Sequence, residues 1–307
     1  MPFARNPMPA PVPIQIPLGQ EGDHAGVIDL VEMKAYRYLD ETMGSKYEVE
    51  EIPADLLEEA TKYHDLMIER VAEAAHAAGD DVLFEKFVGG EKPTVAEIKK
   101  AIRIATIKMT LFPVICGSAF KNKGVQPMLD AVVDYLPSPL DVPATVANDP
   151  QTGELVTREP KDDAPFSALV FKIMTDPFVG QLAFLRVYSG NVKTSDTILN
   201  STKGMKERVG RLLKMHANKR EEIKEVWSGD IAAAVGLKNV TTGDTICDPQ
   251  KPVVLESINF PAPVIALAVE PKTKSDQEKL GAGLAKLMQE DPTFKVETDK
   301  DTNQTKI

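Results

Sequence analysis

The sequence predicts a multidomain chain with three successive patterns: an α/β segment carrying a helical insert, an all-β barrel or sandwich, and an incomplete α/β unit. Three observations predict it. Apolar residues recur at helical spacing over 54–77, and a strand, a turn and a helix then follow one another over 111–136. Short apolar runs broken by Gly, Ser and Asp turns fill 166–255. After Pro263 a strand–helix–strand pattern begins and the sequence stops at Ile307. A length of 307 residues, 43% hydrophobic and 27% charged, suits two or three globular domains.

The elements follow in order. Pro2, Pro7, Pro9, Pro11, Pro13 and Pro17 crowd the start, so 1–20 is expected to be extended, with Val12–Leu18 joining something larger. A β segment is expected over Ala25–Lys34. Leu56, Leu57, Ala60, Tyr63, Met67, Ile68, Val71 and Ala75 define one face of a helix over 54–77, about 36 Å long at about 1.5 Å per residue. Thr94 and Glu97 form a capping box, opening a helix whose inner face is Ile98, Ala101, Ile102, Ala105 and Met109. Leu111–Cys116 reads as a buried strand, Gly117–Phe120 as a turn, and Val125–Leu136 as an amphipathic helix.

Pro137, Pro139 and Pro143 close this unit, and the polar stretch to Pro165 reads as a linker. Turns at 189–190, 228–230 and 242–244 punctuate the all-β region. Val264–Val269 is expected to be a strand, Ser275–Glu278 a second capping box opening a helix to Gln289, and Phe294–Thr298 a further strand. The final segment 294–307 is expected to lack strand partners, and the barrel to be the most stable part. No period of 20–50 residues recurs.

Charge is unevenly placed. The chain has 46 acids against 36 bases, a net charge of −10, which disfavours unspecific nucleic-acid binding. Between Glu48 and Glu91 there are 13 acids and 3 bases, so this stretch carries the whole excess. Lys203, Lys206, Arg208, Arg211, Lys214, Lys219, Arg220 and Lys224 stand against Glu207, Glu221 and Glu222, a local balance of +5. That run is either the solvated face of a strand pair or a contact for RNA backbone.

Cys116 and Cys247 are the only cysteines, which excludes a disulfide framework and a cysteine-rich zinc site; they read as free thiols. No secretory-type start and no run of 18 apolar residues is found, so a soluble, cytoplasmic chain without a membrane span is expected. His24, His64, His76 and His216 lack metal-ligand spacing, and Asp65, Glu69 and Glu73 read as a solvated helix face. Gly281-Ala-Gly283 reads as a packing feature. There is no GxSxG, HExxH or GxxxxGK[ST] motif, and no catalytic residue is assigned. Cys116-Gly-Ser-Ala-Phe120 stands where a strand gives way to a helix, the place where open α/β sheets bind ligands. It is either an ordinary tight turn or a loop whose amides approach a planar ring or a carbonyl.

Longer stretches carry a resemblance. Gly117-Ser-Ala-Phe-Lys-Asn-Lys-Gly-Val-Gln126, Leu129–Pro139, Thr175-Asp-Pro-Phe-Val-Gly180, Arg186-Val-Tyr-Ser-Gly190, Met215–Glu225, Gly229–Ala234, Thr241-Thr-Gly-Asp-Thr245 and Val269-Glu-Pro-Lys-Thr-Lys274 are similar to bacterial-type elongation factor G, from Val12 to Ile307. The resemblance implies an internal fragment of that factor. Residues 1–140 resemble the C-terminal part of its α/β P-loop-type GTPase domain, with a helical α+β insert at about 35–110. Residues 160–255 resemble the all-β barrel of its second domain, and 260–307 the start of its third, a partial α/β sandwich. Gly117, Ser118, Ala119 and Phe120 occupy the loop that packs on guanine, and Lys121 assists it.

The family uses GTP or GDP with Mg2+ and promotes ribosomal translocation of tRNA and mRNA. The phosphate loop, the magnesium-holding threonine, DxxG and NKxD are missing here. The isolated chain is therefore expected neither to hydrolyse GTP nor to bind it tightly. The implied partners are the ribosomal stalk protein, through the acidic insert, and small-subunit RNA, through the barrel, with tRNA and mRNA met indirectly by a monomeric chain. A non-catalytic ribosome-binding module is the alternative, and a release or resistance paralogue a third reading.

Overall fold

The computed structural model describes residues 10–39, 43–176, 179–217, 219–256, 258, 260–261, 263–299, 302 and 304–307. Residues 1–9 and the Pro-Phe pair of 175–180 lie outside the described residues. The chain divides after Pro137 into two compact units.

In the first unit, β1 (Ala10–Pro13) pairs in parallel with β6 (Leu111–Val114), and the Ile14 amide continues the ladder to the Val114 carbonyl at 2.9 Å. Pro11 and Pro13 occupy the alternate positions, where their missing N–H groups cost no bond to β6. Four antiparallel strands follow in sequence order, β2 (Gln15–Leu18), β3 (Gly26–Asp29), β4 (Lys34–Tyr38) and β5 (Tyr47–Glu50). The single segment expected at 25–34 is thus two strands. Asp29 turns the chain between them by accepting the Val31 and Glu32 amides, both at 2.8 Å.

Three helices cover this framework: α1 (Leu57–Ala77), α2 (Val82–Gly89) and α3 (Val95–Ile107). Ala60, Met67, Ile68, Val71, Ala72 and Ala75 are the buried face of α1. It meets Ile98, Ala101, Ile102 and Ala105 of α3, Ile16 of β2, Ile28 of β3, and Ile14 and Leu30 at the strand ends in one core. The capping box is present: Glu97 Oε2 accepts the Thr94 amide at 2.8 Å, and Thr94 Oγ1 accepts the Glu97 amide at 3.3 Å. Glu97 also takes the Lys86 ammonium at 2.7 Å, which foremost holds its carboxyl down to about 2. Thr94→Ala is expected to lower the stability of this unit by about 1 kcal/mol in urea unfolding, without changing its folded circular dichroism.

Two expectations need correcting here. Met109 is not on the inner face of α3; it takes a left-handed φ of 56° beyond the helix end and is exposed, while Thr110 N reaches back to Ala105 O at 2.9 Å. Leu111–Cys116 is not a buried strand. Only Leu111 is fully covered, and Phe112 and Val114 are over 40% exposed because β1 is the sole partner of β6 among the described residues. The helix expected over 125–136 is present as α4 (Val125–Tyr135); it buries Pro127 and Tyr135 and leaves Leu129, Val132 and Val133 largely exposed.

In the second unit the stretch read as a linker is a hairpin, β7 (Thr145–Asn148) with β8 (Leu155–Arg158). It is held because Ala147 packs with Cys247, Val253 and Leu255 in a small apolar cluster. The strands that follow are β9 (Ser167–Asp176), β10 (Gly180–Ser189), β11 (Val192–Lys193), β12 (Thr197–Asn200), β13 (Met205–Arg208), β14 (Arg211–His216), β15 (Lys219–Ile223), β16 (Glu225–Val226), β17 (Ile231–Val235) and β18 (Thr245–Cys247). Eight of them form one sheet in the order β13-β12-β18-β9-β10-β17-β14-β15. Only Val209 and Gly210 separate Arg208 from Arg211, yet β13 and β14 stand near opposite ends of that order. The sheet therefore curls until its ends meet, and Ile198 of β12 shares one core with Leu212 of β14.

Gly190 marks one close approach in the barrel: at φ 70° an added Cβ would lie 2.3 Å from Ala164 O.

The last segment has β19 (Ala268–Val269), α5 (Lys274–Glu290), β20 (Glu297–Thr298) and β21 (Thr305–Lys306). The expected second capping box is displaced: Thr273 is the cap residue, and its hydroxyl donates to Asp276 at 2.6 Å. The expectation that 294–307 lacks partners is overturned. β21 is the middle strand, bonded to β19 and β20, because the turn from Asp299 folds it back: Asp299 N donates to Gln304 O at 2.9 Å. The strand expected at 264–269 is shorter, with Val264 and Ile265 outside the ladder and exposed.

Candidate guanine loop and basic barrel face

The loop after β6 is built on two backbone bonds. Ser118 N donates to Lys123 O at 2.8 Å and Lys123 N returns to Ser118 O at 3.0 Å. Glycine is required at 117, where a Cβ would lie 2.6 Å from the Lys123 carbonyl, and at 124, where φ is 90°. Lys123 is 4% exposed and its ammonium donates to the His24 carbonyl at 2.9 Å, pinning the loop to the β2–β3 connection. This buried lysine was not legible as such, since its partner is 99 residues away.

Beside the loop lies a hollow of about 410 Å³, reached by Gly19, Gln20, His24, Cys116, Ser118 and Lys121. His24 Nε2 is buried at this place without a hydrogen bond. Burial pushes the Cys116 thiol up to about 11, so it is neutral and no nucleophile near neutral pH. Of the four predicted residues, Ser118 has its amide engaged, whereas the amides of Ala119 and Phe120 carry no backbone bond among the described residues. The Phe120 ring is 99% exposed. The free amides suit a carbonyl acceptor and the ring suits a planar base, which is the part of a guanine nucleotide these residues fit. The sequence places no GxxxxGK[ST] phosphate cradle beside this loop.

On the barrel, the basic run maps to β13–β15 and their flanks, but not all of it is available. Lys203 is tied to Asp244 at 2.9 Å, to Thr241 Oγ1 at 2.9 Å and to Asn239 O at 3.1 Å. Arg220 forks onto Asp176, Arg208 donates to Ser195 O at 3.2 Å, and Arg211 faces Glu222. Lys206, Lys214, Lys219 and Lys224 are exposed and carry no ion pair among the described residues. Glu207, counted against the run, is buried and accepts the Lys238 and Asn239 amides at 3.1 and 2.8 Å. It is a structural carboxylate and does not stand on the exposed face, just as Lys203 and Arg220 are neutralised by the buried Asp244 and Asp176.

The other histidines are structural. His64 Nδ1 lies 2.7 Å from Leu30 O, and His76 stacks on Phe84 at 4.6 Å with Asp81 at 2.6 Å from Nδ1. His216 Nε2 stands 3.4 Å from the Glu221 carboxylate on the exposed end of the β14–β15 hairpin. Both cysteines are free.

Comparison with known proteins agrees with this layout. Residues 165–249 match the family model of elongation factor G domain 2, and residues 260–307 match that of elongation factor G domain III. A crystal structure of a protein from Thermus thermophilus is similar over 96% of this chain, with 28% identity and a TM-score of 0.75. The chain spans 41% of the length of that protein. With a domain 2 match on the barrel and a domain III match on the segment after it, residues 165–249 and 260–307 are similar to two successive domains of elongation factor G, which supports a fragment of such a factor.

Proposed function

We propose that this chain acts as part of a ribosomal translocation factor, with the barrel meeting RNA backbone through Lys206, Lys214, Lys219 and Lys224. The observation that carries the reading is the coincidence of four exposed lysines, without ion pairs among the described residues, with the domain matched as elongation factor G domain 2. The loop at Gly117, Ser118, Ala119 and Phe120 takes the guanine base in this reading. Base binding needs a phosphate and Mg2+ cradle from residues other than those of this chain. Alone, the chain is expected to be inactive in GTP hydrolysis and to bind GDP weakly.

The acids of 48–91, most of them exposed along β5, α1, α2 and the loops between them, form a docking surface for a protein partner, the ribosomal stalk protein in this reading. The cytoplasm is the compartment that translation requires.

RNA binding tests the barrel half. Fluorescence anisotropy with an RNA duplex is expected to show log affinity falling linearly with log salt, with a slope set by the phosphates neutralised. The double variant Lys214→Glu, Lys219→Glu is expected to lose at least about tenfold in affinity and to flatten that slope. Equal affinity of variant and parent would reject this face as the contact.

A further inference from the structure

The end of β9 carries two polar attachments on adjacent residues. Thr175 N donates to Glu290 Oε1 at 2.6 Å and so fastens the last turn of α5 to the barrel. Asp176, 7% exposed, accepts the Val179 amide on Oδ1 at 3.0 Å and holds the Arg220 guanidinium as a fork, with Nη1 on Oδ1 at 3.3 Å and Nη2 on Oδ2. Arg220 stands in β15 within the basic run, and a third of its side chain is open to solvent. Elsewhere α5 is lightly held. Leu284 is its one buried side chain among those described, and a cleft of about 720 Å³ opens between the helix and the end of β9. Thr175 Oγ1 is buried there without a partner, so the corner is already imperfectly satisfied.

We propose that Arg220 converts phosphate contact on the basic face into release of α5 from the barrel. A phosphate ester offers a guanidinium the same pair of coplanar oxygens as a carboxylate. In one state the fork rests on Asp176; in the other it rests on the phosphate, and the buried carboxylate loses its bidentate cation. A carboxylate that keeps amide donors such as Val179 N but no cation at 7% exposure is under-compensated, and it turns toward water with the backbone of 175–176. The movement takes the adjacent Thr175 amide off Glu290. Coupling of this kind is reciprocal, so detaching α5 raises the affinity of the face for phosphate. The RNA-driven half rests on the proposed RNA contact; the Arg220-to-α5 link does not.

Hydrogen exchange of the full chain, read on peptides covering 276–290, separates the two. Arg220→Gln without RNA is expected to speed exchange of α5 by about fivefold or more, as Glu290→Gln does, while β10 and β17 keep parental protection. Arg220→Lys, which keeps the charge but not the fork, is expected to fall between. An RNA duplex is expected to speed α5 exchange in the parent and to add nothing in Arg220→Gln. Parental α5 protection in Arg220→Gln, with the barrel intact, overturns the link. Failure of the duplex to bind overturns the RNA half and leaves the link to be decided by the variants. A duplex that binds without moving α5 also overturns the RNA half.

Discussion

Asp244→Ala is expected to destabilise the barrel by about 3–5 kcal/mol, the cost of breaking a buried ion pair from one side. Asp244 is 4% exposed and its Oδ2 accepts three donors: Asn200 Nδ2 at 2.8 Å, the Thr241 amide at 2.8 Å and the Lys203 ammonium at 2.9 Å. Asn200 is fully buried and Lys203 is two-thirds covered, so neither finds full hydration when the carboxylate goes. Asp244→Asn keeps an acceptor oxygen and is expected to cost less, about 1–2 kcal/mol. Urea unfolding followed by the fluorescence of Trp227, which lies in this unit, measures both. A loss below about 1 kcal/mol for Asp244→Ala would show that the three donors find other partners.

Leu111→Ala is expected to cost the first unit about 2–5 kcal/mol, while Phe112→Ala next to it costs about 0.5 kcal/mol or less. Leu111 is completely buried in the core with Ile102 and Val71, and Phe112 is 43% exposed. The contrast matters because β6 has one deep anchor and leads directly into the candidate loop at 117–120. With the anchor gone, the Ser118–Lys123 bridge is expected to loosen, seen as faster hydrogen exchange at both amides. Equal costs for the two variants would show that β6 is covered on both faces in solution.

What was legible in the sequence was local. The α1 and α3 faces follow a 3.6-residue period that needs no knowledge of distant partners, and Thr94 and Glu97 satisfy amides within three residues. Charges with distant partners were not legible. Glu207 and Lys123 look like surface residues until Asn239 and His24 arrive from 32 and 99 residues away. The hairpin β7–β8 was missed although Asp149-Pro150 and Gly153 stand between its strands as turn residues. Its strands are only four residues each and half polar, and the apolar cluster around Cys247 gives them a surface to pack on.

The end of the chain shows the converse. Phe294–Thr298 has the composition of a strand, but the ladder uses Glu297 and Thr298 and recruits Thr305 and Lys306 as the centre of the sheet. Pairing register, set by the turn after Asp299, decided this rather than hydrophobicity. At the candidate site, the two glycines and the small residues of 117–120 were legible; which amides stay free was not, because that depends on the Ser118–Lys123 bridge.

The charge balance is likewise a sum of unlike surfaces. The −10 belongs to 48–91 in the first unit, while the barrel exposes four lysines that carry no ion pair among the described residues. Co-sedimentation of the whole chain with purified ribosomes tests the central claim most directly. The chain is expected to pellet with ribosomes at low salt, to be released as salt rises, and to be retained at least about tenfold less well as Lys214→Glu, Lys219→Glu. A chain that stays in the supernatant at low salt, or a variant that pellets as well as the parent, would contradict it.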